Sequence, residues 1–138
     1  MVEIQESQTW QERMDKDIFI KSVGITIVEA EEGYCQTQLI IGPQHLNGLG
    51  VAQGGAIFTL ADFAFAAATN AGNSSALGIQ NDIRFIKAAY EGDILTATCR
   101  VCHQGGRIGF YAVEIKNQKG ELIALFNATS CRVSNKQK

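Results

Sequence analysis

Trp10, Met14 and Ile18 recur every four residues among charged neighbours, which predicts a short amphipathic helix over about residues 8–21, its apolar side laid on a core. The period then drops to two. Val23, Ile25 and Ile27 alternate, and after a Glu31-Glu32-Gly33 turn so do Cys35, Thr37, Leu39 and Ile41, which predicts an antiparallel hairpin. Residues 42–55, GPQHLNGLGVAQGG, carry the chain's one proline and no regular period, so they read as a loop. From Gly54 to about Asn70 apolar side chains fill nearly every face of a helix, so other structure has to wrap it; Gly72, which readily turns left-handed, predicts where it stops. Beyond it, β-branched and aromatic alternation predicts strands over 75–88, 94–103, 107–117 and 122–133. The breaks between them, Glu91-Gly92-Asp93, Gln104-Gly105-Gly106 and Gln118-Lys119-Gly120, are short enough to imply meander connections. The expected architecture is a single α+β domain over 1–138. A curved antiparallel sheet of five to six strands wraps a central apolar helix, and a short helix precedes it.

Composition narrows the class of function. A length of 138 residues suits one domain of about 100–150 residues, and 46% apolar with 19% charged residues is a globular balance. With a net charge of -2 and no dense run of lysine or arginine, nucleic acid is not an expected partner. No stretch reaches the ~20 continuous apolar residues of a membrane span, and MVEIQESQTWQERMDK has acids where a signal peptide carries basic and apolar regions. No membrane association and a cytoplasmic location are therefore expected. In that compartment Cys35, Cys99, Cys102 and Cys131 are expected as thiols that behave as small buried hydrophobes.

One residue breaks the apolar pattern. Asp62 lies near the middle of the greasy helix, where an unpaired ion costs several kcal/mol, so it needs a partner, a proton or a job. A job is available. Hydrolysis of a thioester requires donors for the oxyanion that forms when water attacks, and backbone N–H groups at a helix start are unsatisfied and aided by the dipole. Gly54 and Gly55 occupy that start and let a substrate approach closely, while Asp62 is the one acid on the helix able to orient or deprotonate water. Eight residues separate Gly54 from Asp62, ~12 Å along a helix, too far for both to flank one carbonyl. A two-fold dimer removes the difficulty if the helix start of one chain faces the Asp62 of the other.

The residues also resemble a family. His45-Leu-Asn47-Gly-Leu-Gly50-Val-Ala-Gln53-Gly54-Gly55 followed by Leu60-Ala-Asp62 is similar to the acyl-CoA thioesterases of the hotdog fold, in particular the phenylacetate-degradation (PaaI) type, and the likeness runs on through Asp82-Ile-Arg-Phe-Ile-Lys-Ala-Ala89. The resemblance implies hydrolysis of a small or medium acyl-CoA, aromatic ones included, by a dimer or dimer of dimers with sites between subunits. It places Asn47, Gln53 and Gly54 of one chain with Asp62 of its neighbour, Asp62 serving as general base or as nucleophile. No separate cofactor or metal is implied, coenzyme A arriving as part of the substrate. Where the family has histidine before the Gly-Gly step this chain has Gln53, which can donate a hydrogen bond but cannot titrate near neutrality. Where the family tends to place Ser or Thr on the strand after the helix, Gly78, Gln80 and Asn81 stand here, and Gln80 or Asn81 is the candidate substitute. Gly55 and His45 are further substrate-binding candidates, and Arg84, Lys87 and Arg107 are the cations that could meet the phosphates of coenzyme A.

Other signals point elsewhere and are weaker. Cys99-Arg-Val-Cys102-His103 matches the C-x-x-C-H haem-attachment pattern, but inside a strand its two thiols would diverge. Gly48, Gly50 and Gly54 before a helix resemble a dinucleotide loop, yet no βαβ alternation follows. His45 and His103 stand alone, without metal-ligand spacing, and read as surface or strand-end residues. The rival of a different class is a non-catalytic hotdog module that binds an acyl-CoA as a sensor or scaffold.

Overall fold

The computed structural model describes residues 9–133. Two short helices come first, α1 (Trp10–Asp15) and α2 (Ile18–Val23), where the four-residue spacing predicts one. The helix breaks because the segment holds two start signals: Thr9 Oγ1 accepts from Glu12 N–H, and Asp17 Oδ1 accepts from Ile20 N–H, both at 3.1 Å. The apolar side changes accordingly. Ile18 points outward, 81% exposed, and Ile20 is the buried residue of α2. Gly24 ends α2 at φ +94°, so Val23 lies in a helix and not in the first strand.

Six strands follow: β1 (Thr26–Glu31), β2 (Tyr34–Ile40), β3 (Ser75–Phe85), β4 (Ile94–Gln104), β5 (Ile108–Lys116) and β6 (Leu122–Val133). The central helix α3 (Gly54–Asn70) stands between β2 and β3. The strands form one antiparallel sheet in the order β1-β2-β4-β5-β6-β3, curled around α3 in the hotdog arrangement. The β1–β2 hairpin and the β4–β5–β6 meander are as expected. The Glu91-Gly92-Asp93 break is not a meander turn, because β3 pairs with β6 on the far edge, from Ser75 opposite Val133 to Phe85 opposite Ala124. At ~1.5 Å per residue α3 carries the chain ~25 Å across the sheet, and the segment after β3 must return the same way. It does so along the sheet's end: Ile86 N–H donates to Ile123 O, Ala52 N–H to Ala89 O and Ile41 N–H to Asp93 O, at 2.8–2.9 Å. β4 then enters beside β2, and β3 ends at Phe85 rather than near residue 88.

The core lies between the concave face of the sheet and α3. Cys35, Thr37 and Leu39 of β2 and Leu95, Ala97 and Cys99 of β4 meet Leu60, Ala61, Ala64, Ala67 and Ala68 of α3, all essentially without exposure. Alanines on both surfaces let the helix approach closely, and Thr37 Oγ1 donates to Leu60 O at 3.1 Å, so the one hydroxyl among them is satisfied. Phe58 meets Phe126 edge-on with ring centres 5.1 Å apart, and Phe65 meets Tyr111 at 5.4 Å. Phe63 and Phe65 are buried helix core. No helix among the described residues is long and apolar enough to cross a membrane.

The helix is not wrapped all the way round. Gly55 is exposed and Thr59, Asp62, Ala66 and Thr69 are half-buried, a strip at the three- and four-residue spacing of a single helical side. Ala71, in extended conformation, caps α3, and Gly72 follows with φ +143°.

Candidate active site

The loop before α3 holds itself. Asn47 Oδ1 accepts from the N–H groups of Leu49 (2.9 Å) and Val51 (3.3 Å), and Asn47 N–H donates to Val51 O at 2.8 Å. His45, expected at the surface, is 6% exposed. Its Nδ1 accepts from Gly42 N–H at 2.9 Å, so its proton sits on Nε2, which donates to Val23 O at 2.7 Å. Both ring nitrogens thus serve the backbone, and His45 ties the loop to α2 instead of facing a ligand. Its own carbonyl receives Gln53 N–H at 2.7 Å.

Gln53 is the N-cap of α3. Its Oε1 accepts from Gly55 N–H at 2.9 Å, and its backbone carbonyl receives Ala56 N–H at 3.0 Å. Capping removes Gly55 from the list of available donors. Gly54 N–H, at the first helical position, has no acceptor among the described residues and sits at the positive end of the helix dipole. Phe85 packs over Gly54: a Cβ there would lie 3.0 Å from its ring. The sequence patterns did not reveal this neighbour, since it comes from the far end of β3. Asn47, Ala52, Gly54, Ile57, Phe85 and Lys87 line one groove of about 320 Å³.

Asp62 lines a different groove, of about 310 Å³, with Met14, Phe65, Ala66, Leu77 and Gly78. Asn81, reaching across from β3, donates Nδ2–H to Asp62 Oδ1 at 3.0 Å, so this candidate does meet the acid. Asp62 Oδ2 has no partner among the described residues, and neither does the buried Oδ1 of Asn81. Burial raises the Asp62 carboxyl above the ordinary aspartate value, the Asn81 hydrogen bond pulls it part of the way back, and the negative charge of Asp17 adds to the rise. A carboxylate in this setting is a stronger base than one in water, with one oxygen held and the other open.

The remaining candidates divide. Lys87 belongs to the Gly54 groove and forms an ion pair with Glu121. Asn81, Ile83 and Phe85 face the helix, so alternation, resumed after an irregularity at Gly78/Gln80, puts Gln80 and Arg84 on the outer face of β3. Arg107 precedes β5, whose first residue pairs with Cys131 while Phe85 pairs with Ala124; seven positions along β6 are ~23 Å, so Arg107 does not reach the Gly54 groove of its own chain.

Among the described residues no group of three or more His, Cys, Asp and Glu could hold a metal ion. Cys35 and Cys99 are buried opposite one another on β2 and β4, and burial pushes the Cys35 thiol up to about 12 and the Cys99 thiol higher than an ordinary cysteine. Cys102 is exposed and Cys131 half-buried, so only two of the four are the buried hydrophobes expected, and the C-x-x-C pair does diverge.

Residues 49–124, more than half of the chain, match the family model described as the thioesterase superfamily. The chain belongs to the thioesterase superfamily. Its sequence is 39% identical over 119 residues to the acyl-coenzyme A thioesterase PaaI of Escherichia coli, spanning 86% of this chain and 85% of the relative. The structure of the E. coli PaaI protein superposes with a TM-score of 0.88 at 37% identity, covering 91% of each chain. A Streptococcus mutans protein solved bound to acetyl-CoA superposes at 0.77 with 26% identity, covering 81% of this chain and 90% of that one. The match to the E. coli PaaI structure spans the sheet, α3 and the loop before it, so the frame that holds Gln53 and Asn81 is common to both proteins.

Proposed function

We propose that this chain is an acyl-CoA thioesterase, hydrolysing the thioester of a small or medium acyl-CoA, aromatic ones included, at two sites formed between the subunits of a homodimer. The observation that carries this reading is the separation of Gly54 and Asp62 into different grooves of one chain, each with an unspent group: an N–H without an acceptor and a carboxylate oxygen without a donor. A second copy supplies what each groove lacks. The exposed edge of β3, with Leu77, Ile79 and Phe85 at 44–58% exposure, and the open strip of α3 beside it favour pairing across a two-fold axis.

In that site Gly54 N–H polarises the thioester carbonyl and receives the oxyanion as water attacks. The partner's Asp62 takes the proton from that water, one oxygen steadied by the partner's Asn81 and the other toward the water. Collapse of the tetrahedral intermediate breaks the carbon–sulfur bond; the departing coenzyme A thiolate takes up the proton, and the free acid leaves. Gln53 contributes its cap and the NH₂ end of its amide, while Asn47 keeps the loop in place. Lys87, the one cation lining the Gly54 groove among the described residues, is the cation best placed for a phosphate of coenzyme A.

Thiol release from a panel of acyl-CoAs tests the reading. Asp62→Asn should abolish release while leaving ligand binding and the folded state intact. Tight binding of acyl-CoA by the parent protein without release would replace the enzyme by a sensor or scaffold module. Attack by Asp62 itself, through a mixed anhydride that water opens at the Asp62 carbonyl, would put ¹⁸O into the enzyme carboxylate in a single turnover in ¹⁸O water, which the general-base route cannot do.

A further inference from the structure

Lys87, which lines the Gly54 groove, already has an anion, because its ammonium pairs with Glu121 Oε2. Glu121 is no loose surface acid. It closes the β5–β6 turn, where Asn117 is the hub: Asn117 Oδ1 accepts from the backbone N–H groups of Lys119 and Glu121 at 3.0 Å, and Asn117 Nδ2 donates to Glu121 Oε1 at 2.8 Å. One carboxylate oxygen is therefore fixed by the turn and the other is aimed at the cation. The hydrogen bonds from Lys87 and Asn117 hold the Glu121 carboxyl below the usual glutamate range, so it is an anion throughout neutral pH.

We propose that Glu121 sets the affinity of this groove for coenzyme A, occupying Lys87 as an internal stand-in for phosphate that a phosphate of the acyl-CoA has to displace. The proposal rests on the acyl-CoA reading above. A phosphate monoester carries about −1.5 to −2 charges and three acceptor oxygens against the single charge of a carboxylate, so the exchange favours coenzyme A. A neutral thiol carrier has nothing to offer Lys87 and leaves the ion pair closed. Glu121 thereby raises the KM for every substrate that must open the pair, and it repels any anion that fails to do so.

The test compares hexanoyl-CoA with hexanoyl-N-acetylcysteamine, which has the same thioester and no phosphate, in the parent, Glu121→Gln, Lys87→Gln and double variants of the full chain. Glutamine at 121 keeps an oxygen for Asn117 and drops the charge. The expected result is a KM for hexanoyl-CoA lowered about two- to fivefold in Glu121→Gln with kcat unaltered, the range of an exposed ion pair. The N-acetylcysteamine kinetics should not move, the gain should fade between ~50 and ~500 mM salt, and it should largely vanish in the Lys87→Gln background. An unaltered KM, an equal fall for both substrates, or an equal fall without Lys87 overturns the proposal. If the parent hydrolyses no acyl-CoA, the functional reading fails instead. The exchange is then read from the Kd of coenzyme A by calorimetry, which Glu121→Gln must lower.

Discussion

Replacing Gly54 by proline removes one hydrogen-bond donor, puts a ring carbon in its place and should leave the helix standing. Gly54 is the first residue of α3, the position where proline is best tolerated because the missing N–H has no intrahelical partner. The residue before it is already suited: Gln53 has φ −62° and ψ 134°, inside the extended region of about +120 to +160° in ψ that a following proline demands. The new ring would meet Phe85, whose ring lies 3.0 Å from the place of a Cβ, but Phe85 is 54% exposed and can yield. The helix should therefore survive, with the cap from Gln53 to Gly55 intact. Loss of one oxyanion donor costs about 10²–10³ in kcat. The assay is thiol release from an acyl-CoA at saturating substrate, with thermal unfolding as the control for folding. A second step asks whether the site is shared. In an equimolar, exchanged mixture of Gly54→Pro and Asp62→Asn chains, half of the dimers are mixed and each holds one intact site of two, so activity should return to about one quarter of the parent's. A Gly54→Pro protein with parental kcat would remove Gly54 N–H from the chemistry. A mixture no more active than its components would put both groups in the same chain, against the spacing argument.

Asp62→Asn should also report on stability. The folded Asp62 carboxyl lies above its ordinary value of 3.8, so the native state holds the proton more tightly than the unfolded chain, and stability falls as pH rises through the raised value. At neutral pH the parent bears that burden and the asparagine variant does not: chemical denaturation should find the variant at least as stable at pH 7, with the gap closing below about pH 3.8. A variant clearly less stable at pH 7 would mean that the charge is compensated within the protomer. Asn81→Ala deletes the bond that lowers the Asp62 value, so the acid limb of kcat/KM should move to higher pH; an unmoved limb refutes a positioning role for Asn81. His45→Ala strands the N–H of Gly42 and the carbonyl of Val23, which should cost about 2–4 kcal/mol of stability with KM little changed. A KM effect without a stability loss would place the imidazole on the substrate.

The strands, the central helix and the loop before it are visible in the sequence because each has one periodicity and one set of turn residues. What a period cannot show is which strands become neighbours. Residues 75–88 read as the first strand of a meander since a short Gly-bearing break follows, but a 17-residue helix had moved that strand to the opposite edge. The same limit governs the site. Gly54 and Asp62 were legible as a helix start and a lone acid on an apolar helix. Phe85 over Gly54 and Glu121 on Lys87 were not, because each contact joins segments more than 30 residues apart with no local mark on either. His45 and Asn47 show a second limit of reading roles from residue type. Residues of functional type in an irregular loop attract chemical roles, yet their hydrogen bonds are nearly all to backbone within the loop and α2. Turn formation engages both ring nitrogens of His45 and the amide oxygen of Asn47, and leaves the Asn47 NH₂ without an acceptor among the described residues.

The difficulty posed by Asp62 and that posed by β3 have the same origin. Within one protomer the acid has a partner for one oxygen only, and the strip of α3 on which it lies, from Gly55 to Thr69, is the part of the helix the sheet leaves open. Alongside that strip β3 presents an unpaired edge with exposed Leu77 and Ile79, the kind of surface that invites pairing with another chain. A two-fold axis along β3 would cover the edge and the strip together, and it would carry a helix start toward the open oxygen of Asp62. Under that arrangement the acid is kept partly desolvated by the contact that supplies its substrate carbonyl, so assembly and pKa are coupled. Burial within one protomer already raises the Asp62 carboxyl, and the proposed dimer predicts that this desolvation deepens when a second chain covers the strip.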